Sequence, residues 1–145
     1  MAVPVDPQAL AEACAAAMWE DDHASQGLGM VLAAVGPGSA RMEMTVDEAM
    51  VNGHGMCHGG YIFTLADSAF AFACNSRNAR CVAAGGTINF LRPARLGDRL
   101  VAWAEERHLA GRSGIYDIRV VDQGGQVVAE LRGQSRAMGG VFFEE

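Results

Sequence analysis

Lysine is absent from this 145-residue chain; all eleven basic residues are arginine. Chemistry built on a Schiff-base lysine or a phosphate-loop lysine is therefore excluded. Against those arginines stand 17 acidic residues, giving a net charge of −6. Nucleic-acid phosphates call for a basic stripe, so nucleic acid is not an expected partner. Cysteines are few, and Cys14, Cys57, Cys74 and Cys81 form no CxxC pair. The segment Met1 to Leu10 lacks the basic and apolar regions of an export signal, so reduced thiols in a cytoplasmic protein are expected. No apolar run is long enough for a bilayer: the longest, Tyr61 to Cys74, carries Asp67 in its middle, so no membrane partner is expected. What is present suffices for a core. Half of the residues are hydrophobic, which argues against disorder and for one domain spanning residues 1–145.

Periodicity divides the chain into elements. Asp6-Pro7 reads as a cap and first turn, and a helix over about 6–22 follows. Its apolar face is read as Leu10, Ala13, Cys14, Ala17 and Met18. Leu28 to Val35 is a strand candidate ended by Gly36-Pro37-Gly38. Ala40, Met42, Met44 and Val46 alternate with polar residues, the two-residue period of a half-buried strand. A glycine-rich loop from Asn52 to Gly60 leads into a second helix over about 59–76. Four strands are expected beyond it: Val82 to Leu91, Arg99 to Leu109, Ile115 to Val121 and Val127 to Ala137. The short glycine-containing gaps between the last three suit antiparallel hairpins. The order predicts an α+β fold with a mostly antiparallel sheet.

The second helix carries the chemical signal. Its residues are apolar around nearly the whole circumference, so the helix is expected to be enclosed by protein. Asp67 is the only formally charged side chain between Glu48 and Arg77. Aspartate is a poor mid-helix residue, and burying its carboxylate is costly unless it is paired. A carboxylate on an apolar wall is a candidate catalytic group. At the same helix's start, His58-Gly59-Gly60 leaves first-turn N–H groups open to a ligand. They carry the positive end of the helix dipole and can hold an oxyanion.

Other readings of the segment stay open. His54, Cys57 and His58 are a crowded zinc-ligand set. Cys57-His58 is a conceivable nucleophile–base pair. The glycines do not form the GxGxxG of a dinucleotide site. His23 and His108 read as surface residues.

The run from Asn52 through His58-Gly59-Gly60 to Asp67 and Ser76 resembles the hotdog-fold acyl-CoA thioesterases, in particular the branch that serves phenylacetate degradation. Similar stretches are Thr87 to Pro93, Gly97-Asp98, Gly114 to Ile118, Arg132-Gly133 and Ser135, so the resemblance spans roughly residues 10–140. It implies a hotdog fold: a long central helix wrapped by an antiparallel sheet, in homodimers that pair into homotetramers. It implies a hydrolase without a cofactor, coenzyme A being part of the substrate. It also implies roles: Asp67 as catalytic carboxylate, Gly59 N–H as the carbonyl's donor, and Asn52 to orient water or substrate. His58 and Gly60 shape the substrate loop, and Arg92, Arg112 and Ser113 are candidates for the coenzyme A phosphates. Phe63, Phe70 and Phe72 are expected to line an aromatic acyl pocket. Relatives often carry a serine on the strand after the helix; here Val82 to Gly86 has no hydroxyl. Asp67 is left as either general base or nucleophile. A hotdog-fold hydratase/dehydratase and a non-catalytic acyl-CoA binder are the alternatives.

Overall fold

Asp6 starts the first helix by accepting the Ala9 N–H at 2.9 Å. The computed structural model describes residues 2–144, and in it α1 runs Pro7–Asp21. Its buried stripe is Ala11, Cys14 and Ala15, whereas Leu10, Ala13, Ala17 and Met18 are half-buried. The face is turned from the expected one because α1 meets the first strand through its smaller side chains. Asp22 then closes α1 and caps α2, His23–Gly27. At five residues this helix is too short to show a period. It also delays the first strand, since Leu28 caps α2 and Gly29 turns the chain at φ +70°.

The strands are β1 Val31–Gly36, β2 Ser39–Thr45, β3 Cys81–Phe90, β4 Arg99–Ala110, β5 Ser113–Val121 and β6 Val127–Ala137. They form one sheet in the order β1-β2-β4-β5-β6-β3, with every neighbouring pair antiparallel. A 3-10 turn, Glu48–Met50, and the glycine-rich loop lead into α3, Gly59–Cys74. Met42, Met44, Ala102, Ala104, Ile118 and Val120 face α3 from alternate strand positions and are buried. The helix returns Leu65, Ala66, Ala69, Phe70 and Ala73. Its alanines let the sheet approach closely, which is how a small sheet and one helix reach core packing density.

One close approach makes a testable demand on the sequence. The Phe70 ring packs against Tyr116 at 5.4 Å between centroids. A Cβ added at Gly133 would lie 2.6 Å from that ring. Gly133→Ala is expected to destabilise the fold by about 1–3 kcal/mol through overpacking. A denaturant midpoint equal to wild type would show that the ring has room to move.

Two faces are left bare. Contrary to the enclosed helix expected from sequence, α3 shows a stripe at Gly60, Phe63, Thr64, Asp67 and Ala71. Gly60 is exposed, Phe63 is 38% exposed, and the rest are half-buried. The sheet covers only the side of α3 that it touches. The second bare region is the outer edge of β3. Eight of its ten residues are exposed, and none carries a charge. Native edges are normally blunted by charge, proline or a cover; this one has a bulge near Ala84 and nothing else. Among the described residues, no helix is long and apolar enough to cross a membrane.

Candidate active site

The loop before α3 is built around Asn52. Its Oδ1 accepts the N–H groups of His54 and Met56 at 2.9 and 3.2 Å. That Asx-type closure leaves the Asn52 side-chain NH2 as its remaining donor. His58 caps the helix: Nδ1 accepts Gly60 N–H at 3.4 Å, and its carbonyl accepts Tyr61 N–H at 3.0 Å. Gly59 N–H meets no acceptor among the described residues. A helix N-terminal donor that no protein group uses is suited to an incoming oxyanion.

That N–H sits beside a cleft of about 440 Å³ whose walls include Asn52, Ile62, Phe90, Leu91 and Arg92. The Phe90 ring lies directly over Gly59, 3.0 Å from where a Cβ would stand. Any larger residue at 59 must push that ring aside. Phe90 is therefore the aromatic wall of this cleft, and sequence reasoning missed it because it reads as an ordinary strand residue. The expected phenylalanines are elsewhere. Phe70 and Phe72 are core residues, Phe72 near Trp19 at 6.2 Å; only Phe63 reaches the surface.

Asp67 is half-buried on the bare stripe of α3. Burial raises its carboxyl above the usual aspartate range, and the nearby charge of Asp22 raises it further. Asp67 lies eight residues after Gly59, roughly 12 Å along the helix axis at a rise of about 1.5 Å per residue. A carbonyl held at Gly59 cannot be reached by the same chain's Asp67.

The remaining candidates divide between two ends of the sheet. Arg92 stands at the Gly59 cleft. Arg112 and Ser113 occupy the β4–β5 turn, where Arg112 C=O accepts Ala137 N–H, and Ala137 pairs with Cys81 at the start of β3. Phe90 is nine residues further along β3, so roughly 30 Å separates the two groups within one chain.

The alternatives find no geometry. Among the described residues, no three His, Cys, Asp or Glu side chains are grouped to hold a metal ion. Cys57 Sγ points to the His58 carbonyl at 3.6 Å, not to its imidazole, and burial pushes its thiol up to about 11. Within one chain His58 caps the helix end remote from Asp67, so a histidine–carboxylate pair for hydration chemistry does not form there. His23 and His108 are exposed. A larger hollow of about 660 Å³ lies on the outer face of the sheet. Its arginines are already engaged: Arg132 grips Asp117 with two bonds of 2.7 and 2.8 Å, and Arg119 pairs with Glu130. The Arg132 bond holds the Asp117 carboxyl below the usual range, with Arg107 assisting, the reverse of what a general base requires.

Known proteins resemble this chain in sequence and fold. The thioesterase superfamily model matches residues 54–129, more than half of the chain. The acyl-coenzyme A thioesterase PaaI of Escherichia coli is 46% identical over 89% of this chain and 92% of its own. The solved structure of the E. coli PaaI protein from the phenylacetic acid degradation operon superposes with a TM-score of 0.92 at 44% identity, covering 94% of this chain and 99% of that one. A Streptococcus mutans protein solved bound to acetyl CoA matches at a TM-score of 0.74 and 27% identity, over 77% and 90% of the two chains. By the family model and these relatives, the chain belongs to the thioesterase superfamily and is a thioester hydrolase of the hotdog fold.

Proposed function

We propose that this hydrolase cleaves aryl-acyl thioesters of coenzyme A, phenylacetyl or ring-hydroxylated phenylacetyl, at a site shared by two copies of the chain. The observation that carries the reading is the Gly59 N–H that no protein group uses and the partly buried Asp67 carboxylate, set too far apart on α3 to serve one carbonyl. The names of the E. coli thioesterase and its operon support the substrate class. So does the Phe90 ring over Gly59.

The bare β3 edge supports a two-fold dimer. Antiparallel pairing of β3 with its copy sets the start of one strand beside the end of the other. The bare stripes of the two α3 helices then run alongside each other. Gly59 comes to face Asp67 of the partner subunit, and Arg112 and Ser113 of the partner subunit come to the end of the cleft that holds Arg92. Such an interface yields two equivalent sites. A dimer of dimers is the assembly the resemblance implies.

In that site the thioester oxygen accepts Gly59 N–H, and the helix end stabilises the charge that develops on it. Asp67 takes a proton from water as the water adds to the carbonyl carbon. The tetrahedral intermediate expels the thiolate, which recovers the proton from Asp67. In the nucleophilic variant Asp67 attacks, the thiolate leaves, and water opens the resulting anhydride. Asn52, a wall residue of the cleft whose NH2 the loop does not use, is assigned to orient the water or carbonyl, and no metal or cofactor takes part.

Thiol release from a panel of acyl-CoA thioesters tests the reading. Phenylacetyl-CoA and its ring-hydroxylated forms are expected to show the highest kcat/KM. The decline across other acyl groups should be graded, since an apolar wall discriminates by roughly 1–3 kcal/mol per methylene-sized change. A long-chain fatty acyl-CoA outperforming every phenylacetyl thioester would overturn the aryl assignment.

A further inference from the structure

Ser68, the residue after Asp67, turns from α3 into a buried polar cluster that the hydrolysis scheme does not use. Ser68 is 9% exposed and Ser25 of α2 is 1% exposed. Ser25 Oγ lies 2.7 Å from Asp22 Oδ2 and 2.8 Å from Ser68 Oγ. Proton counting gives the chain a direction. An ionised carboxylate only accepts, so Ser25 donates to Asp22, and with its one proton committed it accepts from Ser68. The other Asp22 oxygen accepts Ser25 N–H at 3.0 Å. One carboxylate thus caps α2 and terminates a hydroxyl chain that starts on α3.

Packing of Leu65, Ala66, Ala69, Phe70 and Ala73 against the sheet sets which face of α3 is buried; it does not by itself fix the fine angle at which Asp67 is presented. A directional chain ending on a charge restrains that angle, and in a buried setting such bonds are stronger than neutral ones. Asp67 is the adjacent residue, so the direction of its carboxylate follows that angle. The strands facing α3 contribute Tyr116 from β5, which burial keeps neutral, and Cys81 from β3, whose thiol burial raises. Glu106 of β4 is paired with Arg77 beyond the far end of α3. On α3 itself Cys74 is held neutral at about 12. Within one chain, Asp22 is the charge that raises the Asp67 carboxyl beyond what burial does.

We propose that Asp22, Ser25 and Ser68 are positioning residues for Asp67: the hydroxyl chain holds the rotation of α3 that aims its carboxylate, and Asp22 sets a second negative charge beside it. The proposal rests on Asp67 being the reacting carboxylate.

Kinetics and a substrate-free titration of single variants test it. Ser25→Ala and Ser68→Ala are expected to lower kcat by up to about 10²-fold through misalignment, with KM little changed. Ser68→Thr keeps the hydroxyl and is expected to keep most of the rate; equal losses in Ser68→Ala and Ser68→Thr would reduce the chain to packing and overturn its aiming role. Asp22→Asn keeps an N-cap side chain but removes the charge. It is expected to move both the acidic limb of kcat/KM and the carboxyl-carbon NMR titration of Asp67 to lower pH. If Asp22→Asn does not fold, Asp22→Ser serves as the neutral cap. A titration at the wild-type position in a folded neutral variant overturns the charge coupling. The NMR readout needs no substrate, so the coupling is judged apart from the reaction: a titration that moves while Asp67→Asn retains full turnover would reject Asp67 as the reacting group instead.

Discussion

Asp67→Asn is expected to lower kcat by at least about 10²-fold while the fold is retained. Amide and carboxylate are nearly isosteric, so packing survives while the base or nucleophile is lost. The same variant should melt at a higher temperature near neutral pH. The sign follows from linkage. The Asp67 carboxyl titrates above its ordinary range in the folded state, because burial and then Asp22 disfavour its charge. The folded protein therefore holds this proton more tightly than the unfolded chain does. Stability falls as pH rises from the unfolded value through the folded one, and the deficit persists above it. Asparagine has no proton to lose, so the variant's melting temperature should gain on wild type across that window and keep its lead at higher pH. Thermal melts at several pH values, with thiol-release assays on the same preparations, check both parts. Wild-type kcat in the variant would remove Asp67 from the reaction.

Mixing two inactive variants is expected to restore about a quarter of wild-type sites. One variant is Asp67→Asn; the other is Gly59→Pro, which deletes the N–H donor. Proline suits the first helical position. The residue before it, His58, already has φ −63° and ψ 134°, the extended backbone that a following proline demands. The Phe90 ring that lies over Gly59 must yield for the variant to fold. After denaturation and refolding of an equal mixture, half of the dimers are mixed. Each mixed dimer has one site with both residues intact and one with neither. A site confined to one chain can never be repaired this way. Heterodimers shown to be present without recovered thiol release would sink the shared site. The outcome also bears on the bare stripe of α3, because only a partner seated there brings the second Asp67 within about 3 Å of the carbonyl or its water.

Local pattern carried much of this protein. The two-residue alternation from Ala40 to Val46 and the glycine breaks after β4 and β5 show the strands, since the side-chain period of a strand is a property of neighbouring residues. Asp67 stands out because a lone charge inside an apolar helix is expensive wherever that helix packs. Gly59 follows from helix ends, whose first N–H groups lack partners in any context. The tertiary structure alone decided what depends on distant pairings. It put β3 beside β6 at an edge, although β2 and β4 flank it in sequence, because strand order is chosen by summed burial and pairing over the whole sheet. That choice left the β3 edge and one stripe of α3 uncovered. It brought Ser25 to Ser68 across 43 residues and laid Phe90 over Gly59. It also sent Arg112 and Ser113 to the end of the sheet remote from Arg92. None of these contacts has a sequence period, because each joins elements whose separation along the chain is unrelated to their separation in space.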